Sequence, residues 1–464
     1  MRKNSISIRM IGITACLFLI FAAGIPVSTA LAADNSNPPF VPGQVVVAGG
    51  PDGLPDGYNV IKYLPNANLT VVAVEPGRER GHIQSLMAKG FRANLNLIAK
   101  ASYKPNDPLY LFQWHLKMVQ SEEAWGLNAG SDVIVAVLDT GLATGGEDRI
   151  GCTVLGHDVV NGGDNPDDGN GHGTHVSGTI AQTTNNGIGV AGLAYDACIM
   201  PVKVLDDSGS GTFADIADGI NYAVDNGAKV INMSLGTNAR YNIRNDSIMD
   251  PALNYAYANG VTVVCASGND GSRKNVSYPA IYPTTIAVGA VDFSENVTRY
   301  SNKGYGLDLV APGGDTSKDL NQDGKVDGVL QETFGYAGWT YYFFQGTSMA
   351  SPHVAAIAAM LISYETATTP DEVYDALTLT TADLGDAGYD SVSGYGLVQA
   401  FSALNYIPGT CTDADGDGVC VEDGDCDDSD PLVFENCSTC VDKGGFCSSD
   451  GQCCSGRCAG IKCK

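Results

Sequence analysis

Between Ala101 and Ile407 short apolar runs alternate with amphipathic stretches, and that rhythm limits the fold more than any other feature of the chain. The runs include Val133-Ile134-Val135-Ala136-Val137-Leu138, Val202-Lys203-Val204-Leu205, Val230-Ile231-Asn232-Met233 and Val261-Thr262-Val263-Val264. Between them Ala214 to Asn226 and Ser247 to Asn259 have helical patterning. Strands that take turns with helices predict an α/β fold, a doubly wound parallel sheet with helices on both faces. In such sheets reactive groups gather at the carboxyl ends of the strands.

Three segments carry unusual chemistry. Asp139 follows the first run in Val137-Leu138-Asp139-Thr140-Gly141, and His172 lies in Asn170-Gly171-His172-Gly173-Thr174-His175. Ser348 lies in Gly346-Thr347-Ser348-Met349-Ala350-Ser351-Pro352-His353, just before the helical run Val354 to Leu361. Taken singly, each has an ordinary explanation as a turn, loop or N-cap residue. Taken together they supply a nucleophilic relay: a hydroxyl that attacks, an imidazole that moves its proton, and a carboxylate that fixes the imidazole tautomer.

The three motifs, in the order Asp, His, Ser, resemble those of subtilisin-like serine proteases. The resemblance extends to Cys265-Ala266-Ser267-Gly268-Asn269-Asp270, which matches the segment bearing that family's oxyanion-hole asparagine, here Asn269. It implies that Ser348 is the nucleophile, His172 the base and Asp139 the orienting carboxylate, with His175 structural. Ser234-Leu235-Gly236 resembles the strand that pairs with substrate backbone. Ser277 and Tyr278-Pro279-Ala280 resemble the wall of the pocket for the residue before the scissile bond. A serine at that wall, with Asp270 close by, suggests a broad preference that includes polar or basic residues; Asp270 is equally readable as a solvated loop carboxylate.

Net charge then separates the partners. The 464 residues hold 26 Lys and Arg against 52 Asp and Glu, a formal charge of −26. That excludes a nucleic-acid binder, which needs clustered cations for phosphate. The acids fall in loops, and loops rich in Asp, Asn and Gly suit calcium, which takes about six to eight oxygens. Pro105-Asn106-Asp107-Pro108 and Asn185-Asn186-Gly187-Ile188-Gly189-Val190 resemble thermitase-type subtilases. That likeness implies a structural Ca²⁺ site from Asp107, Asp148 and Asn186 with the Ile188 and Val190 segment. A fainter likeness to a second thermitase-type site covers Asp158, Asn161, Asp164 and Asp167. In Asp319-Leu320-Asn321-Gln322-Asp323-Gly324-Lys325-Val326-Asp327 oxygen donors occupy positions 1, 3, 5 and 9 of an EF-hand-like loop, with Gly at 6. Position 12 is Leu330, and Glu332 is the nearby substitute. The competing explanation is a solvated turn.

The ends of the chain read differently from its middle. Arg2, Lys3 and Arg9, an apolar run from Met10 to Ile25, and Ala30-Leu31-Ala32 form a secretory signal over residues 1–32. The apolar run is too short for a membrane anchor, and it continues past the lipoprotein-box-like Ile13-Thr14-Ala15-Cys16. Residues 33–101 form a small α+β unit, with strands at Gln44 to Val47 and Leu69 to Val74 and a helix from Gly81 to Gly90. Its position before an enzyme-like domain (102–407) marks it as a propeptide.

Beyond Pro408 the composition changes. Cys411 to Pro431 has nine carboxylates and no Lys or Arg. Residues 408–437 resemble thrombospondin type 3-like calcium repeats, with Asp413, Asp415, Asp417, Asp425 and Asp427 as ligands; the alternative is a disordered acidic tail. Cys411, Cys420, Cys426 and Cys437 allow three disulfide pairings. The spacing C-x6-C-x5-C-C-x3-C-x4-C over 438–464 resembles an inhibitor cystine knot, which implies Cys440–Cys454, Cys447–Cys458 and Cys453–Cys463. Adjacent Cys453 and Cys454 and the lack of His argue against zinc. In the enzyme-like domain a Cys152–Cys198 disulfide is possible, and Cys265 reads as a buried thiol.

The expectation is thus a secreted, calcium-stabilised serine endopeptidase made as a zymogen, monomeric, without a membrane span once mature. Its partners are protein or peptide substrates and its own propeptide. The alternative is a calcium-dependent adhesin on an inactive protease scaffold.

Overall fold

Val135, Ala136, Val137 and Leu138 are each at most 1% exposed, and a strand with no polar side needs cover both above and below it. The computed structural model describes residues 40–98 and 104–407, with the backbone of 458–459 and 462–463. The first elements are β1 (Phe40–Ala48), β2 (Asn59–Leu64), β3 (Leu69–Ala73), α1 (Glu79–Met87) and β4 (Ala93–Leu97). Next come α2 (Trp114–Met118), α3 (Ser121–Ala124), β5 (Ile134–Asp139), β6 (His157–Asp158), α4 (His172–Ala181), β7 (Cys198–Lys203), α5 (Phe213–Asp225) and β8 (Val230–Met233). They continue as α6 (Met249–Ala258), β9 (Thr262–Ala266), β10 (Thr285–Val291), β11 (Leu309–Pro312), β12 (Val329–Gly335) and β13 (Gly338–Phe344). Helices α7 (Thr347–Ser363), α8 (Pro370–Thr378) and α9 (Ala400–Leu404) close the domain.

The main sheet has seven strands in the order β11-β10-β9-β8-β5-β7-β6, paired in parallel throughout. One face carries a core that includes Val176 and Ile180 of α4 and the length of α7; the other is covered by α5 and α6. Helix α7 is apolar all round and buried from Met349 to Leu361, as a helix through a domain core must be. Its many alanines let it lie close to the sheet. Strand order reverses between β5 and β8, because the chain leaves β5 toward β7 and returns on the other side. That is where a parallel sheet opens a crevice at its carboxyl ends.

The expected elements hold with shifted ends. β8 coincides with its expected run, and β5 is shifted by one residue, leaving out Val133 and including Asp139. β7 stops at Lys203, so Val204 and Leu205 of the expected run lie outside the strand. Their N–H groups instead both donate to Asp139 O, at 3.0 and 3.1 Å, as the chain turns over the end of β5. α7 begins before Val354, which puts Ser348 inside its first turn. Cys152 and Cys198 form a disulfide, and Cys265 is a buried thiol on β9.

Residues 40–97 form a four-stranded sheet, β2-β3-β1-β4, with α1 against it. Ile407 completes this small core. Arg80 donates to Thr366 Oγ1 at 3.4 Å and lies 5.7 Å from the Tyr364 ring. The expected signal, the acidic repeat with Asp413, Asp415, Asp417, Asp425 and Asp427, and the cystine-knot pairings lie outside the described residues. The exception is a backbone pairing of Cys458–Ala459 with Lys462–Cys463, antiparallel. Among the described residues no helix is long and apolar enough to cross a membrane.

Candidate active site

Asp139 ends β5 fully buried, and its Oδ1 accepts from His172 Nδ1 and from its neighbour Thr140 N, both at 2.7 Å. Oδ2 has no hydrogen-bond partner. His172 opens α4, and the helix start is fixed by Asp168. One Asp168 oxygen accepts from Asn170 N and Gly171 N at 2.9 Å, the other from Thr174 N and Oγ1 at 3.0 and 2.7 Å. A Cβ at position 173 would come within 2.3 Å of Gly141 O, so only glycine lets α4 lie this close to the β5 loop.

Burial alone would push the His172 imidazolium down; the Asp139 charge and hydrogen bond, with a smaller push from Asp168, hold its pKa above the ordinary value. His175, one turn position on, is the opposite case. Burial drives it down to about 3, and its Nε2 lies 3.1 Å from both Val329 O and Tyr342 O. It is a neutral packing residue.

Ser348 sits in the first turn of α7, whose N–H groups have no acceptor within the helix. Its hydroxyl donates to Ser234 O at 3.1 Å, while Ser234 Oγ donates to Ser348 O at 2.8 Å. The Ser348 hydroxyl therefore faces Ser234, and no Ser348–His172 hydrogen bond is formed. Catalytic hydrogen bonds often tighten only when substrate arrives. Asn269 Oδ1 accepts from Thr347 N and Oγ1, at 2.9 and 3.0 Å. That orientation leaves the amide nitrogen beside Gly346, where a Cβ would be 3.5 Å away.

His172, Ser348 and Asn269 line one cavity of about 690 Å³, together with Ser234, Leu235, Gly236 and Pro279. No residue of 40–98 contributes to its lining. Ser277, expected in the pocket wall, is 1% exposed and outside the cavity lining; Asn302 Nδ2 donates to its Oγ at 3.1 Å, and it packs against Gly268, which does line the cavity. Asp270 does line the cavity, but it is tied back: it accepts from Ala239 N at 3.0 Å, from Asn302 Nδ2 at 3.2 Å and from Asn238 Nδ2.

The expected metal ligands divide into three places. Asp107 and Asp148, 4% and 3% exposed, meet around Asn186. Asp107 accepts from Asn185 N and Asn186 N at 2.7 and 3.1 Å; Asp148 accepts from Asn186 Nδ2 and Val190 N at 2.9 Å. Ile188 N donates to Asn186 Oδ1 at 2.7 Å. Asp158 spends both oxygens on Asn161, its N at 2.8 Å and its Nδ2 at 3.0 Å, while Asp164 lies 3.7 Å from His157. In the third loop Asp323 N donates to Asp319 Oδ1 at 3.1 Å and to Asn321 Oδ1 at 3.0 Å. Asp327 is fully buried there, and burial together with the charges of Asp319 and Asp323 pushes its pKa up. Glu332 does not belong to this loop. From β12 it accepts from Glu147 N and Asp148 N, both at 3.0 Å. Among the described residues no three acidic, His or Cys side chains converge to hold a metal by themselves.

Two contributors escaped the sequence. Asp168 was visible only as one more loop acid, though its place four residues before His172 is that of a helix-start acceptor. Lys203, 2% exposed, donates to Thr140 O at 2.7 Å and to Asp207 Oδ1 at 2.8 Å, bracing the turn after Asp139. A lysine in an apolar run gives no such signal.

Residues 130–396 match the family described as Subtilase family, Peptidase_S8. Thermitase of Thermoactinomyces vulgaris is 37% identical over 305 residues, covering 66% of this chain and 100% of that protein. Subtilisin Savinase of Lederbergia lenta is 40% identical over 291 residues, 62% of this chain and 97% of its own. A solved structure described as proteases from Pseudoalteromonas arctica PAMC 21717 superposes with a TM-score of 0.59 at 34% identity, over 65% of this chain and 99% of that one.

Proposed function

The chain belongs to the subtilase family and is a subtilisin-like serine endopeptidase; from that premise we propose which groups do the chemistry. Ser348 Oγ attacks the peptide carbonyl while His172 Nε2 takes its proton, then returns it to the departing amine. Asp139 holds the imidazole by Nδ1 and stabilises its cation without becoming protonated. The developing oxyanion is received by Ser348 N–H and the Asn269 amide, and the acyl-enzyme is released by water. The Ser234 to Gly236 strand pairs with substrate backbone, so affinity comes largely from main-chain hydrogen bonds. The observation that carries this reading is the 2.7 Å Asp139–His172 contact opening on the cavity that holds Ser348 and Asn269.

The finer parts of the reading concern maturation and metal. Residues 1–32 direct export, and residues 33–101 are a propeptide removed near Lys100 to Tyr103. Calcium fits the Asp107, Asp148 and Asn186 group on its chemistry: two buried carboxylates and an amide oxygen, with no Lys, Arg or His ion-paired to either acid among the described residues. Bound there, a cation would neutralise both charges and favour the folded state by mass action. Asp158 and the acidic run with Asp413, Asp415, Asp417, Asp425 and Asp427 are further candidate ligands.

The test is the purified precursor incubated with casein, alone, with a serine-directed reagent, and with a chelator plus heating. Self-cleavage and casein loss should both stop with the serine reagent and should fade when calcium is removed at elevated temperature. Activity that survives the serine reagent refutes the mechanism; survival of chelation with heating refutes the calcium assignment.

A further inference from the structure

Asp327 is fully buried; its Oδ2 accepts from Leu320 N at 2.5 Å, and its Oδ1 has no hydrogen-bond partner. Among the described residues no Lys, Arg or His forms an ion pair with it. Lys325, two residues away, lies 5.6 Å from the Phe112 ring, and Lys318 is committed 2.9 Å from Asp292 and 3.0 Å from Asp315. An ionised carboxylate left this way inside a protein is costly. The same loop presents Asp319 and Asp323, both exposed, and Asn321, with Gly324 directly after them in a left-handed turn (φ 82°).

The Asp327 backbone is anchored on both sides, with Asp315 N donating to Asp327 O and Asp327 N to Lys318 O, each at 2.8 Å. Two residues later β12 begins, and the β12–β13 hairpin lies against α4. Val329 O and Tyr342 O receive His175 Nε2, and Thr333 Oγ1 donates to Gly171 O at 2.6 Å, the residue before His172. The acidic loop is thus spliced into the support of the helix that carries the base.

We propose that residues 319–327 close around one Ca²⁺, the ion itself drawing Asp319, Asn321, Asp323 and the buried Asp327 oxygen together as side-chain donors, and that filling the loop fixes the β12–β13 hairpin against α4. This deepens the calcium part of the function proposed for the chain and does not depend on the hydrolytic part. Calcium is preferred over Mg²⁺ because mixed carboxylate and amide oxygens on a short loop suit a large, variable coordination shell, whereas Mg²⁺ demands an octahedron and sheds water reluctantly.

The experiment uses the full chain with Ser348→Ala, which prevents self-digestion. Bound calcium is counted by equilibrium dialysis, and hydrogen exchange of the Val329 to Thr333 amides is followed with and without the ion. Asp319→Asn with Asp323→Asn, at exposed positions, should remove one bound Ca²⁺. At calcium about 100 times Kd, openings that require the empty loop should slow by about a hundredfold in the parent, and not in the double variant. Asp107→Ala should also lose one ion yet keep the exchange response. An unchanged calcium count in the double variant, exchange in β12 indifferent to calcium, or an equal response to Mg²⁺ overturns the proposal. A chain with Ser348 intact that binds the ions but leaves casein uncut would refute the catalytic reading and leave this one standing.

Discussion

Asp139 and Asp327 are both fully buried, and each has one carboxylate oxygen without a hydrogen-bond partner. They differ in what faces the other oxygen. At Asp139 it is His172, an imidazole that can become a cation at 2.7 Å. At Asp327 it is the Leu320 N–H, and no side-chain cation of the described chain is near enough to pair. Inside the active site the burial cost is offset by a titrating partner; in the acidic loop, on the proposal above, it would be offset by an ion from solution. One carboxylate faces a group that can take a proton; the other would report whether calcium is present.

The comparison breaks most sharply at Asp139. Asp139→Asn keeps the shape, removes the charge and frees His172 to adopt the wrong tautomer; kcat should fall about 10⁴-fold. The pH profile gives an independent reading. His172 must be neutral to accept a proton, so kcat/KM rises as pH passes its pKa, which lies above the ordinary 6.5. In Asp139→Asn the residual activity should have its acid limb at lower pH, because burial then acts with only Asp168 opposing it. For stability the sign is the reverse: the raised pKa adds stability below pH 6.5 that is lost as pH rises through the folded value. An acid limb that stays in place would show that Asp139 does not set the His172 charge.

Asn269→Ala comes next. Its Oδ1 is held by Thr347, so the side chain is positioned before substrate arrives with its amide nitrogen beside Gly346, where the proposed oxyanion role needs it. Loss of one such donor lowers kcat by about 10²–10³, with KM little changed. An effect confined to KM would make Asn269 a binding residue instead.

The sheet and the reactive residues were legible because both are local signals. Apolar runs such as Val230 to Met233 and Val135 to Leu138 have no alternative to a buried strand, and Asp139, His172, Ser348 and Asn269 each sit in a short distinctive segment. What was not legible depends on distant neighbours. Ser277 was expected in the pocket wall from the family resemblance, but it is buried behind the cavity lining and held by Asn302. Glu332 was expected to complete the 319–327 loop; strand alternation carries it to Glu147 and Asp148 instead. The hairpin itself left a trace, since the strand-favouring run Trp339-Thr340-Tyr341-Tyr342-Phe343-Phe344 follows a Gly335-Tyr336-Ala337-Gly338 turn, a signal that the acidic stretch beside it obscured. Asp168 and Lys203 matter only through groups brought near by the fold.

The smallest expected effect sharpens the comparison from the other side. Asp327→Asn preserves the oxygen that accepts from Leu320 N and removes the uncompensated charge. In chelator the variant should therefore unfold at a slightly higher temperature than the parent, since a buried group left without its partner costs about 1–3 kcal/mol. With calcium at about 100 times Kd the parent should gain about 2.7 kcal/mol from that loop, and the variant much less, so their order should reverse. Thermal scans of the Ser348→Ala background, with chelator and with saturating calcium, read both halves. Asp139→Asn, measured in the same background, should show no such crossing, because its carboxylate answers to His172 whatever the calcium. A parent that is the more stable form under both conditions would mean that Asp327 is satisfied within the protein, and the contrast between the two aspartates would fall.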